Sequence, residues 1–172
     1  MRTVILLASA RPVGDTRRLC ELLRADHPYP LLDLSTYTIG QFDYQFANSQ
    51  DDYLPLMQDL VHEYDRYLFA TPVYWYSMSG LLKKFFDRFS DLLMTEKALG
   101  RRLRGKRMAV LACGHDERLD PAFWMPFRQT AAYLGMHYDG QVYGYLRSGA
   151  IPAEVRAAVL RFGQKLVAAD QK

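Results

Sequence analysis

Tyr67-Leu68-Phe69-Ala70-Thr71-Pro72-Val73-Tyr74-Trp75-Tyr76-Ser77-Met78-Ser79-Gly80-Leu81-Leu82-Lys83 changes character twice. The apolar run Tyr67 to Ala70 reads as a buried strand that stops at a polar turn. Three consecutive aromatics follow, Tyr74, Trp75 and Tyr76. An amphipathic helix then begins, with Leu81, Leu82, Phe85, Phe86, Phe89, Leu92 and Leu93 at helical spacing. The same spacing turns Lys83, Lys84, Asp87, Arg88 and Asp91 toward water. The order strand, aromatics, helix places flat side chains, and backbone N–H donors at a helix start, together at the end of a strand. In open α/β sheets ligands sit just beyond the carboxyl ends of the strands, so a planar ligand is expected at this turn.

Working outward, Thr3 to Ala8 is a continuous apolar run, as in a parallel strand buried on both faces. A helix is expected over Gly14 to Ala25, a short strand over Leu31 to Leu34, and a long loop over Ser35 to Asp52. Asp52 to Glu63 reads as a helix with Pro55 in its first turn, and Arg66 to Ala70 as the third strand. Arg107 to Ala112 is the fourth strand. Pro121 to Leu134 is a helix capped by Asp120, in which Pro126 either kinks the helix or marks its true start. His137 to Leu146 is the fifth strand, and a helix over Pro152 to Ala169 follows. Alternating strands and helices imply an α/β fold, a parallel sheet covered on both faces. The 172 residues suit one domain, 1–172.

Hydrophobic residues make up 49% of the chain and charged residues 24%, as in ordinary globular proteins. No apolar run approaches the roughly 20 residues of a membrane span. The apolar start is too short for a signal peptide before Arg11-Pro12, so a cytoplasmic location and no membrane partner are expected. Cys20 and Cys113 lie far apart, and His27, His62, His115 and His137 show no ligand spacing, so no metal site is expected. The net charge is +3. Much of the positive charge is local, in Lys97, Arg101, Arg102, Arg104, Lys106 and Arg107. No aromatics interleave those cations for base stacking, so they read as a solvated connector and not a nucleic-acid surface.

The loops after the first, third and fourth strands open at one edge. The first carries Ser9 to Arg17 and leads into a helix. Ser9 and Thr16 supply hydroxyls, Arg11 and Arg17 guanidinium forks, and Gly14 a tight turn, a set suited to a phosphate at a helix start. Asp15 opposes an anion by charge but is a good N-cap, so its side chain is expected to bond the helix start. The second loop offers Pro72, Val73, Tyr74, Trp75, Tyr76 and Ser77, as flat surfaces and backbone donors. The third offers Cys113, Gly114 and His115. There Gly114 permits close approach, His115 is a hydrogen-bond partner or a surface residue, and Cys113 is a bystander.

Thr71-Pro72-Val73-Tyr74-Trp75, Ser77-Met78-Ser79-Gly80-Leu81-Leu82-Lys83 and Phe86-Asp87-Arg88 resemble the flavodoxin-like NAD(P)H-dependent FMN reductase and quinone oxidoreductase family. Ser9-Ala10-Arg11-Pro12-Val13-Gly14-Asp15-Thr16 resembles that family's phosphate loop, with Asp15 where the family usually has Asn. The likeness covers nearly the whole chain. It implies a flavodoxin-like three-layer sandwich with a five-stranded parallel sheet of order 2-1-3-4-5. It implies FMN as cofactor and NAD(P)H as co-substrate. Hydride would pass to a small acceptor: a quinone, a nitro or azo compound, or a flavin. The residues themselves indicate only a flat, phosphate-bearing ligand. The broad apolar face of the 81–93 helix is read as core or as a homodimer surface. Two other readings stay open, an electron-carrier flavodoxin, disfavoured by a pI of 8.8, and a flavin-free interaction protein of the same fold.

Overall fold

The structure is a computed structural model and describes residues 1–171, so Lys172 at the end of the expected domain lies outside the described residues. In chain order the elements are β1 (Thr3–Leu7), α1 (Asp15–Asp26), β2 (Leu31–Asp33), α2 (Tyr53–Glu63), β3 (Arg66–Tyr74), β4 (Ser77–Met78), α3 (Gly80–Asp87), α4 (Phe89–Met94), α5 (Lys97–Arg101), β5 (Arg107–Gly114), α6 (Met125–Tyr133), β6 (His137–Tyr145) and α7 (Ala153–Ala168). The parallel strands lie in the order β2-β1-β3-β5-β6, which is the expected 2-1-3-4-5 arrangement of a flavodoxin-like sandwich. The short β4 folds back antiparallel on the end of β3.

Successive strand residues point to opposite faces, so each buried strand feeds two cores. Val4, Leu6, Tyr67, Phe69, Met108 and Val110 face the side covered by α2, α3, α4 and α6. Ile5, Leu7, Leu68, Ala70, Ala109 and Leu111 face α1 and α7. Continuous apolar strands are the consequence of covering a sheet on both sides.

The stretch expected as a solvated connector forms α5, with Leu99 and Gly100 buried, and β5 runs two residues past Ala112. Three further differences shape the site and its supports. First, β3 runs past Ala70 to Tyr74, because its end pairs with both β5 and β4. Second, a 3-10 turn over Pro121–Trp124, capped by the Asp120 carboxylate accepting from Ala122 N–H at 2.8 Å, precedes α6. Pro126 therefore marks the true helix start, where its missing N–H costs nothing.

Third, the expected single helix over 81–93 breaks at Arg88 into α3 and α4. Arg88 and Asp91 do not face water; they are buried. The Arg88 guanidinium donates to Asp91 Oδ2 at 2.7 Å, to Asp51 Oδ2 at 2.5 Å, and to the carbonyls of Gly40 and Asn48 at 3.3 and 3.2 Å. It also lies over the Tyr53 ring, 4.7 Å from its centre. The long loop supplies most of these acceptors and is thereby fastened to the helix pair. A second buried cation, Arg66 at the start of β3, donates to Asp139 and Asp170, each at 2.6 Å.

Candidate functional site

The carboxyl ends of β1, β3 and β5 converge on a cavity of about 230 Å³. Ser9, Arg11, Gly14, Asp15 and Thr16 line it from the first loop, Pro72, Val73 and Tyr74 from the second, and Cys113, Gly114 and His115 from the third. Leu146, just after β6, closes one side.

The first loop shapes the polar end. Gly14 is the N-cap of α1, in extended backbone, and no side chain caps this helix. The first N–H groups of α1 therefore keep no intrahelical or side-chain partner. The buried residues Ser9 and Thr16 bring hydroxyls to the same wall, and Ser9 Oγ accepts from Arg11 N–H at 3.2 Å. The Arg11 side chain has no ion-pair partner among the described residues. Asp15 is not the N-cap that sequence reasoning expects. Gly14 occupies that position, and Asp15 is the first helical residue, exposed and 3.5 Å from Arg18 Nη1. Arg17 also departs from expectation. It donates to the Pro12 carbonyl and to Asp33 Oδ2, the latter at 2.6 Å, so it braces the loop against the end of β2 and does not line the cavity.

In the second loop the chain reverses as a tight hairpin. Tyr74 pairs with Ser77 across Trp75 and Tyr76, which hold φ of +48° and +63°. Ser77 thus becomes a β4 residue and lines neither this cavity nor its neighbour. The start of α3, expected to present free donors, is capped from within. Ser79 Oγ accepts from Leu82 N–H at 3.1 Å and donates to the Ala8 carbonyl at 2.7 Å, while Ser79 N–H donates to Thr71 Oγ1 at 3.0 Å. The strand and hairpin, not the helix start, face the cavity here.

In the third loop, a side chain on Gly114 would run into the Tyr143 ring, with Cε2 only 3.0 Å from the added Cβ. Tyr143 Oη donates to the Asp116 carbonyl at 2.5 Å, and Arg147 pairs with Glu117, so the 115–120 loop is held from two sides. Burial, with the Asp15 charge adding to it, pushes the Cys113 thiol up to about 12. At neutral pH it is an unreactive thiol.

A second cavity of about 250 Å³ opens between the hairpin and the 115–120 loop. Trp75, Tyr76, Asp116, Arg118, Leu119, Asp120 and Tyr143 line it, and it shares Val73, Gly114 and His115 with the first. Each alone falls below the roughly 300 Å³ at which ligand pockets begin, and together they reach that range. Sequence reasoning missed Leu146, Tyr143, Asp116, Arg118, Leu119 and Asp120. Tyr143 is one aromatic of an alternating strand, and nothing in its local pattern separates it from a core residue. The joint site has an N–H-rich, hydroxyl-bearing end and a flat aromatic end. Among the described residues no group of three or more His, Cys, Asp or Glu side chains is placed to hold a metal. No described helix is long and apolar enough to cross a membrane.

The model of the family described as NADPH-dependent FMN reductase matches residues 1–149. A Bacillus subtilis protein described as a putative NAD(P)H-dependent FMN-containing oxidoreductase, YwqN, is 28% identical over 99% of this chain and 96% of its own length. Two solved structures share the fold. The Trp repressor binding protein from Bacillus subtilis superposes with a TM-score of 0.75 at 24% identity, covering 93% of this chain and 96% of that one. General stress protein 14 from Treponema denticola, solved in complex with FMN, gives a TM-score of 0.63 at 19% identity over 99% of each chain.

Proposed function

The chain belongs to the NADPH-dependent FMN reductase family, and from that premise we propose that the joined cavities hold one FMN in an NAD(P)H-dependent oxidoreductase. The observation that carries this reading is the first turn of α1. Its N–H groups are uncapped, two buried hydroxyl residues and an unpaired arginine share the same wall, and the wall continues into an aromatic cavity. The residues present fit the group. The helix dipole and free N–H groups favour a phosphate, and Ser9, Thr16 and Arg11 add donors. Gly114, at which a side chain would strike Tyr143, leaves its backbone bare at the ring end.

When bound, FMN supplies a ring that takes up hydride from the nicotinamide and passes two electrons on. The protein does the rest by position. Pro72 and Val73 form a stiff edge, and Val73, Gly114 and His115 stand where the two cavities meet. Backbone dipoles held by β3, the hairpin and the 115–120 loop favour negative charge on a ligand in a partly dry site. The Cys113 thiol stays protonated and takes no part. The Asp15 carboxylate weakens the phosphate end by charge, and the nearby Arg18 offsets part of that.

Quinones, nitro or azo compounds and flavins are the proposed acceptors. A homodimer in the cytoplasm, built from a single domain over 1–172, completes the proposal. The dimer is supported by an apolar groove of about 550 Å³ along α4 and α6, floored by Phe86 and Phe89 and edged by the exposed side chains of Leu93 and Tyr133. Sedimentation equilibrium tests that part. The function itself is tested by the visible spectrum of the purified protein, followed by addition of NADH and of NADPH. A yellow protein bleached by either supports the reading. A yellow protein that neither bleaches is an electron carrier instead, and a colourless protein that takes up no FMN is neither.

A further inference from the structure

Trp75 and Tyr76 are the two central residues of the hairpin, and both hold positive φ. That backbone region suits glycine and asparagine, and bulky aromatics there are strained. Strained residues persist where something else requires them. Packing within this chain is not that requirement, because Trp75 is 93% exposed and Tyr76 78%. A turn that only reversed the strand would serve as well or better with Asn-Gly. Two large flat side chains are thus held in water, against backbone preference, at the mouth of a cavity whose other lining includes Leu119, Tyr143, Arg118, Asp116 and Asp120.

We infer that Trp75 and Tyr76 set acceptor specificity: they stack a flat quinone at the mouth of the second cavity. This rests on the reductase reading above. The overall chemistry balances. NAD(P)H gives up a hydride and leaves oxidised; the quinone gains that hydride and one proton from solvent and leaves as the hydroquinone. Stacking of a flat guest on an aromatic ring is favourable beyond area alone. The cavity, at about 250 Å³, cannot enclose a large acceptor and a flavin ring together, so the acceptor meets the rings from the solvent side.

The test compares the natural protein with Trp75→Asn/Tyr76→Gly, using 1,2-naphthoquinone-4-sulfonate and ferricyanide as acceptors. Ferricyanide is octahedral and does not stack. The thermal midpoint of the variant is expected to stay or rise, since Asn-Gly relaxes the turn. The ratio of kcat/KM for the quinone to that for ferricyanide is expected to fall at least tenfold, with most of the change in the quinone KM. An unchanged ratio overturns the inference. So does an equal loss on both acceptors together with lost FMN absorbance, which assigns the rings to the cofactor. A second measurement needs no flavin. Trp124 is buried, so Trp75 is the exposed one of the two tryptophans. Saturable quenching of tryptophan emission by the same quinone, weakened in Tyr76→Gly, which keeps Trp75, supports the platform; quenching that rises linearly without saturation overturns it. A natural protein without flavin or NAD(P)H oxidation sinks the reductase reading alone, and this quenching result then decides the platform separately.

Discussion

Ser79 donates its hydroxyl proton to the carbonyl of Ala8, across 71 positions of sequence, at 2.7 Å. The same oxygen accepts from Leu82 N–H and caps α3. One buried hydroxyl therefore joins the end of β1, where the phosphate loop departs, to the element that follows the aromatic hairpin.

Ser79→Ala removes both bonds at once. The lost cap and the orphaned buried donor together are expected to cost about 1 to 3 kcal/mol of stability. Urea unfolding should show a lower midpoint at an unchanged slope. FMN affinity should fall too, because the two loops lose their shared anchor. A stable variant with native FMN affinity would show that the β1–α3 tie is idle.

Gly114→Ala places a methyl group against the Tyr143 ring. Tyr143 must shift and release the Asp116 carbonyl, and the 115–120 loop then loosens. Overpacking of this kind costs about 1 to 3 kcal/mol. Because the clash is strongest at the Tyr143 hydroxyl, Tyr143→Phe in the Gly114→Ala background should recover part of the FMN affinity. Additive losses in that double-mutant cycle would mean the two positions do not communicate.

Acid stability follows from Asp51. Burial acts to raise its pKa, but hydrogen bonds from Arg88 and from the N–H groups of Gly40 and Tyr53 outweigh that, and the net shift is downward. A carboxylate with a folded pKa below its unfolded value adds stability above the unfolded value, about 3.9. That stability is lost as pH falls through the folded value. Asp139, held down by Arg107 and Arg66 against its own burial, acts in the same window. Asp51→Asn should therefore lower stability at pH 6 and shrink the difference in urea midpoint between pH 6 and pH 3. An acid limb as steep as that of the natural protein would remove Asp51 from the account.

The sheet was legible because alternate apolar residues of β1, β3 and β5 each serve one of two cores, so the strands read as continuous apolar runs. Three converging loops could be placed from that alternation. Arg88 was not legible. Its helical position reads as polar, and its partners Asp51, Gly40 and Asn48 come from a loop with no periodic pattern. The hairpin was hidden for the opposite reason: Trp75-Tyr76 lacks the Asn or Gly that announces such a turn. At the first loop, Asp15 has the chemistry of a cap, but the neighbouring Gly14 takes the extended backbone a cap needs. Arg17 was drawn away by Asp33, a partner that only β1–β2 pairing brings near.

Arg11→Ala and Thr16→Ala test the polar end of the site against its flat end. FMN and riboflavin share the same ring and differ by the phosphate. If the first turn of α1 holds that phosphate, the double variant should lose FMN affinity by about tenfold to a hundredfold, the scale of one charge-assisted hydrogen bond at about 1.5 to 3 kcal/mol. Riboflavin affinity should change by less than about threefold, well under the tenfold that about 1.4 kcal/mol represents. Flavin fluorescence titration of apoprotein measures both. Removing the Asp15 charge by Asp15→Asn should act in the reverse sense and tighten FMN alone, since the carboxylate repels the phosphate and leaves the ring untouched. Equal losses for both ligands in the double variant would mean that Arg11 and Thr16 hold the loop in shape and do not touch the anion.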